Sequence, residues 1–474
     1  MIGVVGQHGY NGVPGGMKKH DPFATLKSLE KAVDGALFGL ENAGQKLETT
    51  LLSCIPKSAL RGMNRALRLL ESRFLLAFLF FLLLVSSRAL HWLVNPQFYI
   101  EDGQEFYLSA FNQGMHSILR EYASYYHVVP RLLSLAAVGF PVRYGPLLLE
   151  VAALCVQAAV SAFLLSRQMA KQLPSKLVRF GLAFFVIADP NSTELFANVS
   201  HSQWYLGILS LAILYSEPGR RALSRFGEGA VLVLIGLTGP FAPILAIFSW
   251  SRFKQLRSRW LVLAVTTLTA VVTAASMLQH PRDGINEDAS ATHLFRILTN
   301  QILYGTLRGF HYTYHTISVP TFDIREFGCA IFTIAVIVGG LWKAPPYLRA
   351  LCGLGLYCLV TSLISKSSWN LLGCPGVGER YFLYLDMVFA YSLFAISHQA
   401  RSALIRWGFR GLIAIFAVAI LQEWFYDPPF AKFNFGPQIA SYETLRPGQQ
   451  MEVMTPIDRK SDSTYWTISI PKKD

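Results

Sequence analysis

From Phe74 to Val94 the chain is an almost unbroken apolar run. It is long enough to cross the roughly 30 Å hydrocarbon layer of a bilayer. Similar runs recur near 144–166, 177–190, 201–216, 260–279, 326–342, 347–364, 381–398 and 410–425. Blocks of this kind predict an all-α polytopic membrane protein of about nine transmembrane helices. Hydrophobic residues make up 52% of the 474 positions and charged ones only 15%. Soluble domains carry about 25% charged residues, so the composition agrees with the pattern.

The net charge of +13 raises nucleic acid as a partner. The basic residues, however, sit in short loops between apolar runs and not on one long soluble face. That distribution sets topology in a membrane, and no nucleic-acid partner is expected. The loops with Arg167, Lys171 and Lys176, with Arg252 to Arg259, with Lys343 and Arg349, and with Arg401, Arg406 and Arg410 belong on the cytoplasmic side. One further segment, 228–250, carries basic residues at both ends and Thr238-Gly239-Pro240 in its middle. Two readings are open for it. A re-entrant or broken helix pair would keep both ends inside, whereas a single kinked span would invert everything downstream.

With the hairpin reading, the outer segments are 95–143, 190–200, 280–325, 365–380 and the tail from about 426. These are large extracytoplasmic loops that hold many of the acids and aromatics. No internal repeat of the kind common in transporters is visible. Residues 1–73 read as a cytoplasmic N-terminal region of amphipathic helices. One has its apolar stripe at Leu26, Val33, Leu37, Leu40, Leu47 and Leu51; the other spans about Ser58 to Ser72. The second sets Arg61, Arg65 and Arg68 beside Leu60, Met63 and Leu67. It fits an anionic membrane surface or the protein's own inner loops. Residues 74–425 form the transmembrane domain. The tail 426–474 lies outside the membrane and alternates around Thr464-Tyr-Trp-Thr-Ile-Ser-Ile, a small β element. Six cysteines show no disulfide framework.

Chemistry concentrates in the first outer loop. It opens with Glu101-Asp102-Gly103 and continues through Tyr122-Ala-Ser-Tyr-Tyr-His-Val-Val-Pro-Arg131. An acidic pair just beyond the first span resembles the GT-C class of membrane glycosyltransferases, and within it the bacterial and phage-borne enzymes that modify O-antigen, lipopolysaccharide or cell-wall glycans. The resemblance covers the layout of residues 74 to 430, and its specific part is short. It implies a hexosyltransferase of the bacterial inner membrane, with its N-terminus cytoplasmic and its C-terminus periplasmic. Its donor would be a polyprenyl-phosphate sugar and its acceptor a surface glycan or lipid-linked glycan. A carboxylate would take the proton of the attacking hydroxyl with inversion at the anomeric carbon. Asp102 is the expected base and Glu101 a positioning residue or metal ligand. An Mg²⁺ or Mn²⁺ ion on Asp102 stays open. A helix cap followed by a solvated acidic turn is the plainer reading of the pair.

The departing phosphate needs cations. Arg88, His127, Arg131 and Arg380 are the candidates, with Tyr126 beside them for a sugar ring. Each has a plainer alternative: snorkelling for Arg88, an interfacial aromatic belt around Arg131, and an ion pair with Glu379 or Asp386 for Arg380. Tyr381 follows Arg380 at the start of a span. Asn198, His201 and Gln203 suit sugar hydroxyls or helix capping. Asp386 and Glu150, inside spans, call for arginine partners. Two rival functions remain: a transporter or flippase of lipid-linked glycan, and a polysaccharide polymerase or ligase.

Overall fold

The computed structural model describes residues 57–99, 101–218, 222–256, 259–280, 288–316, 324–365, 368–426, 435–456 and 465–472. The expected helix around Leu26 to Leu51, Cys54, and the acids Asp283 and Glu287 lie outside them. The described chain is mostly helical with two short antiparallel strand pairs. Five helices are long and apolar enough to cross a membrane: Val142–Leu165, Trp260–Gln279, Ile324–Leu341, Pro346–Ser365 and Ala403–Trp424. The last buries only Ala403, Phe416, Ala419 and Glu423, leaving Ile415, Val418 and Leu421 exposed. A helix that is apolar all round with so little buried needs lipid as its surround.

Four other apolar runs form shorter helices: Phe74–Arg88, Lys176–Ala188, Ser202–Tyr215 and Leu383–Gln399. Ser202–Tyr215 is buried along nearly its whole length and forms the centre of the bundle. The helix Lys57–Ser72 turns by 112° into Phe74–Arg88. Its buried face carries Leu67 and Glu71, and Glu71 pairs with Arg179 at 2.6 Å and Lys176 at 3.1 Å. Arg61, Arg65 and Arg68 stay exposed. One face thus packs on Arg167, Lys176 and Arg179 through Glu71 while the basic face stays exposed.

The segment at 228–250 is a hairpin. Gly229 abuts Leu261 and Gly236 abuts Thr269, so the helix Ala222–Gly236 runs parallel to Trp260–Gln279. The helix Ala242–Ser251 runs back along the same neighbour, bonding Ser249 to Thr266 at 2.9 Å and Trp250 to Thr267 at 2.9 Å. The chain reverses at Gly239, where φ is +93°. The turn is covered by protein: Gly239 N–H donates to the Tyr126 carbonyl at 3.1 Å, and Val129 N–H to Thr238 Oγ1 at 3.0 Å. Buried irregular backbone at membrane depth is tolerated only with such partners.

The tail strands Gln450–Pro456 and Tyr465–Pro471 pair in register, from Gln450 opposite Pro471 to Pro456 opposite Tyr465. They form a second core with Phe98, Tyr107 and Phe435 through Val453, Ile468 and Ile470. The expected β element therefore presses on the acidic loop. A Cβ at Gly103 would fall 2.3 Å from Ile468 Cδ1.

Gly239→Ala combines a left-handed backbone angle with a Cβ placed 2.7 Å from Gln203 Oε1. It should cost on the order of 1–3 kcal/mol and lower the thermal unfolding temperature in detergent. An unchanged temperature would mean that the turn does not need glycine.

Candidate functional site

The site is assembled around the segment 189–201, which joins Lys176–Ala188 to Ser202–Tyr215. Its sequence reads as a polar outer connector. In the fold it is almost entirely buried, and its small polar residues satisfy one another. Asn198 Oδ1 accepts from His201 N–H at 2.8 Å and Ser200 Oγ at 3.1 Å, and Asn198 Nδ2 donates to the Glu194 carbonyl at 2.6 Å. Asn198 is thus a turn-forming residue. Asn191 and Asn198 are both sealed from solvent.

Asp102 docks on this segment. Its Oδ2 accepts Val199 N–H at 2.9 Å and its Oδ1 accepts Ser200 N–H at 2.7 Å. Burial pushes its carboxyl up to about 7, the two N–H bonds oppose that, and Glu101 adds to it. Glu101, next in the chain, is only partly covered. Its Oε2 has no hydrogen-bond partner, and its charge acts on Arg380 and Tyr122. The adjacent acids thus have different surroundings.

Arg380 follows Gly378, which takes a left-handed turn. The guanidinium pairs with Glu194, contacts His201 Nε2 at 3.2 Å and lies over the Tyr381 ring at 5.0 Å. Its acid is neither Glu379 nor Asp386, the two expected from the sequence. Glu379 instead accepts Glu194 N–H at 2.8 Å, and Asp386 accepts the Asn191 amide at 3.3 Å. Glu150 likewise takes Gln97 N–H at 3.1 Å, not an arginine. Each of these acids takes a backbone or amide donor on one of its oxygens. His201 Nδ1 lies 2.9 Å from the Glu194 carbonyl. That contact makes Nδ1 the protonated nitrogen and turns the Nε2 lone pair to Arg380.

An aromatic wall links this centre to Arg131. Tyr125 stacks on His127 at 4.6 Å, and Phe106 lies 5.3 Å from His127 and 6.1 Å from Tyr122. Burial raises the Tyr122 hydroxyl, and Glu101 and Glu105 add to the effect. Arg131 is fully buried under Phe106, and its Nη1 donates to the Glu105 carbonyl at 3.3 Å. Its Nε and Nη2 have no hydrogen-bond partners. Burial and then Arg120 push its guanidinium down to about 10, which leaves it charged at neutral pH.

Glu101, Asp102, Asn198, His201, Arg380 and Tyr381 therefore converge, with His127 and Arg131 across the aromatic wall. Gln203 lies under them, its Oε1 buried beside Gly239. Tyr126 is peripheral; its side chain bonds Glu121. Arg88 does not snorkel. It is buried over Phe196 at 4.4 Å and donates to the carbonyls of Ile187 at 2.8 Å and Asp189 at 3.1 Å. The late loop that carries Arg380 is pinned by Gln301 Nε2, which donates to the carbonyls of Leu372 and Cys374 at 2.8 and 2.9 Å. Glu194 was missed from sequence. The signal available was an acid seven residues before His201 in an outer segment. Among the described residues, no group of three or more His, Cys, Asp or Glu could hold a metal ion. With an N–H bond on each oxygen, Asp102 is also a poor Mg²⁺ or Mn²⁺ ligand.

Set against known proteins, the chain matches no family model, no curated protein and no solved structure.

Two predictions follow from Asp102. Asp102→Asn turns one amide donor against a backbone N–H and should destabilise the fold by about 1–3 kcal/mol; an unchanged unfolding temperature would show that the carboxylate does not hold the 199–201 turn. The folded carboxyl titrates at about 7, against 3.8 for the free group. Its contribution to stability is therefore complete below pH 3.8 and lost as pH rises through about 7. Wild type should lose unfolding temperature between about pH 4 and pH 7 and level off above that, and the asparagine variant should show a flatter profile across the same window.

Proposed function

We propose that this protein is a membrane glycosyltransferase of the GT-C type. It moves a hexose from a polyprenyl-phosphate donor to a glycan acceptor on the extracytoplasmic side. The observation that carries the reading is that a partly covered carboxylate, Glu101, and a half-buried guanidinium, Arg380, lie close enough at one end of the helix bundle for the charge of one to act on the other. The bundle would lie in a bacterial inner membrane with the N-terminus cytoplasmic and the C-terminal β element periplasmic. The shorter helices Phe74–Arg88, Lys176–Ala188, Ser202–Tyr215 and Leu383–Gln399 would complete the spans.

In this mechanism the acceptor oxygen attacks the anomeric carbon. The bond from that carbon to the phosphate oxygen breaks, and the acceptor proton passes to a carboxylate. The donor phosphodiester carries one negative charge and the released monoester carries up to two. Cations that meet this growing charge accelerate the step. In this reading Arg380 would meet it directly, Arg131 would add its charge from behind the aromatic wall, and the Tyr122, Tyr125 and Tyr381 rings would suit a sugar face.

The geometry favours Glu101 as the base, in place of the Asp102 expected from sequence. A base needs reach and a free lone pair. Glu101 is only partly covered and its buried Oε2 has no hydrogen-bond partner, whereas Asp102 is fully buried and already accepts an N–H on each oxygen. Asp102 becomes the residue that positions Glu101 against the 199–201 turn.

Purified protein in liposomes should move labelled glucose, mannose, galactose or arabinose from its polyprenyl phosphate into a cell-envelope glycan. Glu101→Gln should cut kcat by about 10²–10⁴-fold with an unchanged unfolding temperature. Transfer at the wild-type rate would sink the base assignment. Labelled lipid that crosses the bilayer with no covalent product would point to a flippase. Arg380→Lys keeps the charge and loses the planar fork. It should raise the donor KM about tenfold, roughly 1.4 kcal/mol; an unchanged KM would remove Arg380 from the donor site.

A further inference from the structure

A second site lies at the opposite end of the bundle from Glu101 and Arg380. The helix Ser202–Tyr215 begins beside Asp102 and ends about 21 Å away at a rise of 1.5 Å per residue. The helices Gly145–Leu165 and Ala242–Ser251 start at the same end as its N-terminus. Gly145 abuts Tyr107, and Phe241 packs edge-on against Trp204 at 5.1 Å. The segments that follow these three helices meet the start of Pro346–Ser365 around a cavity of about 400 Å³. Lys171, Tyr215, Glu217, Arg252, Arg259 and Pro346 are among its lining residues. All of these segments belong to the basic, cytoplasmic side of the topology.

The charges in this cavity are of two kinds. Arg259 is a structural post: it is buried, pairs with Glu228 at 2.7 Å, and donates to the carbonyls of Ile213 at 3.2 Å and Ser216 at 3.3 Å. Its charge is neutralised where it stands. Arg252 Cζ lies 3.9 Å from the centroid of the Tyr215 ring, which restrains its fork at the cavity wall. Lys171 is exposed on the rim. Against these two cations the lining holds one carboxylate, Glu217. One positive charge is left over. That surplus matches a phosphodiester monoanion better than a phosphomonoester dianion. An oriented guanidinium beside a mobile ammonium suits phosphate oxygens. The apolar side chains Leu214 and Leu256 also line the cavity, so a ligand with a carbon skeleton is accommodated. The volume falls within the range of small-molecule pockets, about 300–1,000 Å³.

We propose that this cavity binds a monoanionic phosphate ester on the face opposite the candidate catalytic centre. The headgroup of an anionic phospholipid is its membrane source, and a water-soluble phosphodiester is the other source of the same chemistry.

The test uses the full chain in phosphatidylcholine nanodiscs. In one arm the discs are doped with phosphatidylglycerol, and native mass spectrometry measures the lipid retained by the protein. In the other arm, glycerophosphoglycerol is titrated into undoped discs by calorimetry. In Lys171→Gln/Arg252→Gln, retention or affinity should fall about 30-fold, the combined effect of two cations beside one anionic group. Lys171→Arg/Arg252→Lys keeps both charges and should retain binding, which separates lost charge from lost fold. A fall in the lipid arm alone assigns the lipid source; a fall in the soluble arm assigns the soluble source. The proposal is overturned if wild type and the glutamine variant behave alike in both arms. It is equally overturned if Arg349→Gln, an exposed cation outside the cavity, lowers binding as much.

Discussion

The two hydrogen bonds from Val199 and Ser200 to Asp102 tie the first outer loop to the start of the central helix. Much of the outer face is organised by that junction. It fixes the backbone beside Glu101, and it holds the 198–201 turn whose His201 meets Arg380. The acid is buried, so each N–H it satisfies would otherwise face an apolar surround. Removing one partner of such a bond costs more than the bond itself contributes, because the other partner stays desolvated. A small carboxylate therefore locks two segments 97 residues apart in sequence.

The 189–201 segment shows how irregular backbone survives deep in a helical bundle. Lipid offers no hydrogen bonds, so every polar group there must find a partner within the protein. Asp189 takes Asn191 N–H at 3.0 Å, Ser192 donates to the Asp189 carbonyl at 2.6 Å, and Glu379 reaches across to Glu194 N–H. Short side chains suit this work because they reach their own backbone with little rotamer entropy to lose. A connector built this way sits between Arg88 on one side and Arg380 on the other.

The membrane character and the tail β element were legible in the sequence, and the basic flanks made a hairpin one of two open readings at 228–250. Long apolar runs, alternation and basic flanks each report on a local physical requirement. The buried connector was not legible, since Asn191, Ser192, Asn198 and Ser200 look like an exposed loop until their partners are known. The partner of Arg380 was equally hidden. Glu379 and Asp386 are close in sequence, but Glu194 is 186 residues away, and no local pattern encodes that pairing. Four apolar runs read as full spans gave helices of 13 to 17 residues. Hydropathy alone does not see the irregular or helical turns that continue them, such as Leu90–Val94 after Phe74–Arg88.

Glu101 and Asp102 show why adjacency in sequence does not mean equivalence in chemistry. Their backbone is shared, yet one side chain faces two backbone donors in a dry interior and the other keeps an oxygen without a hydrogen-bond partner. A proton acceptor must give up whatever already holds its lone pairs, and Asp102 would have to weaken the junction that shapes the site. In the proposed reaction Glu101 would take and release the proton with that junction intact. The buried acid fixes the backbone that carries its neighbour, so the two are coupled through structure while only Glu101 would meet the substrate.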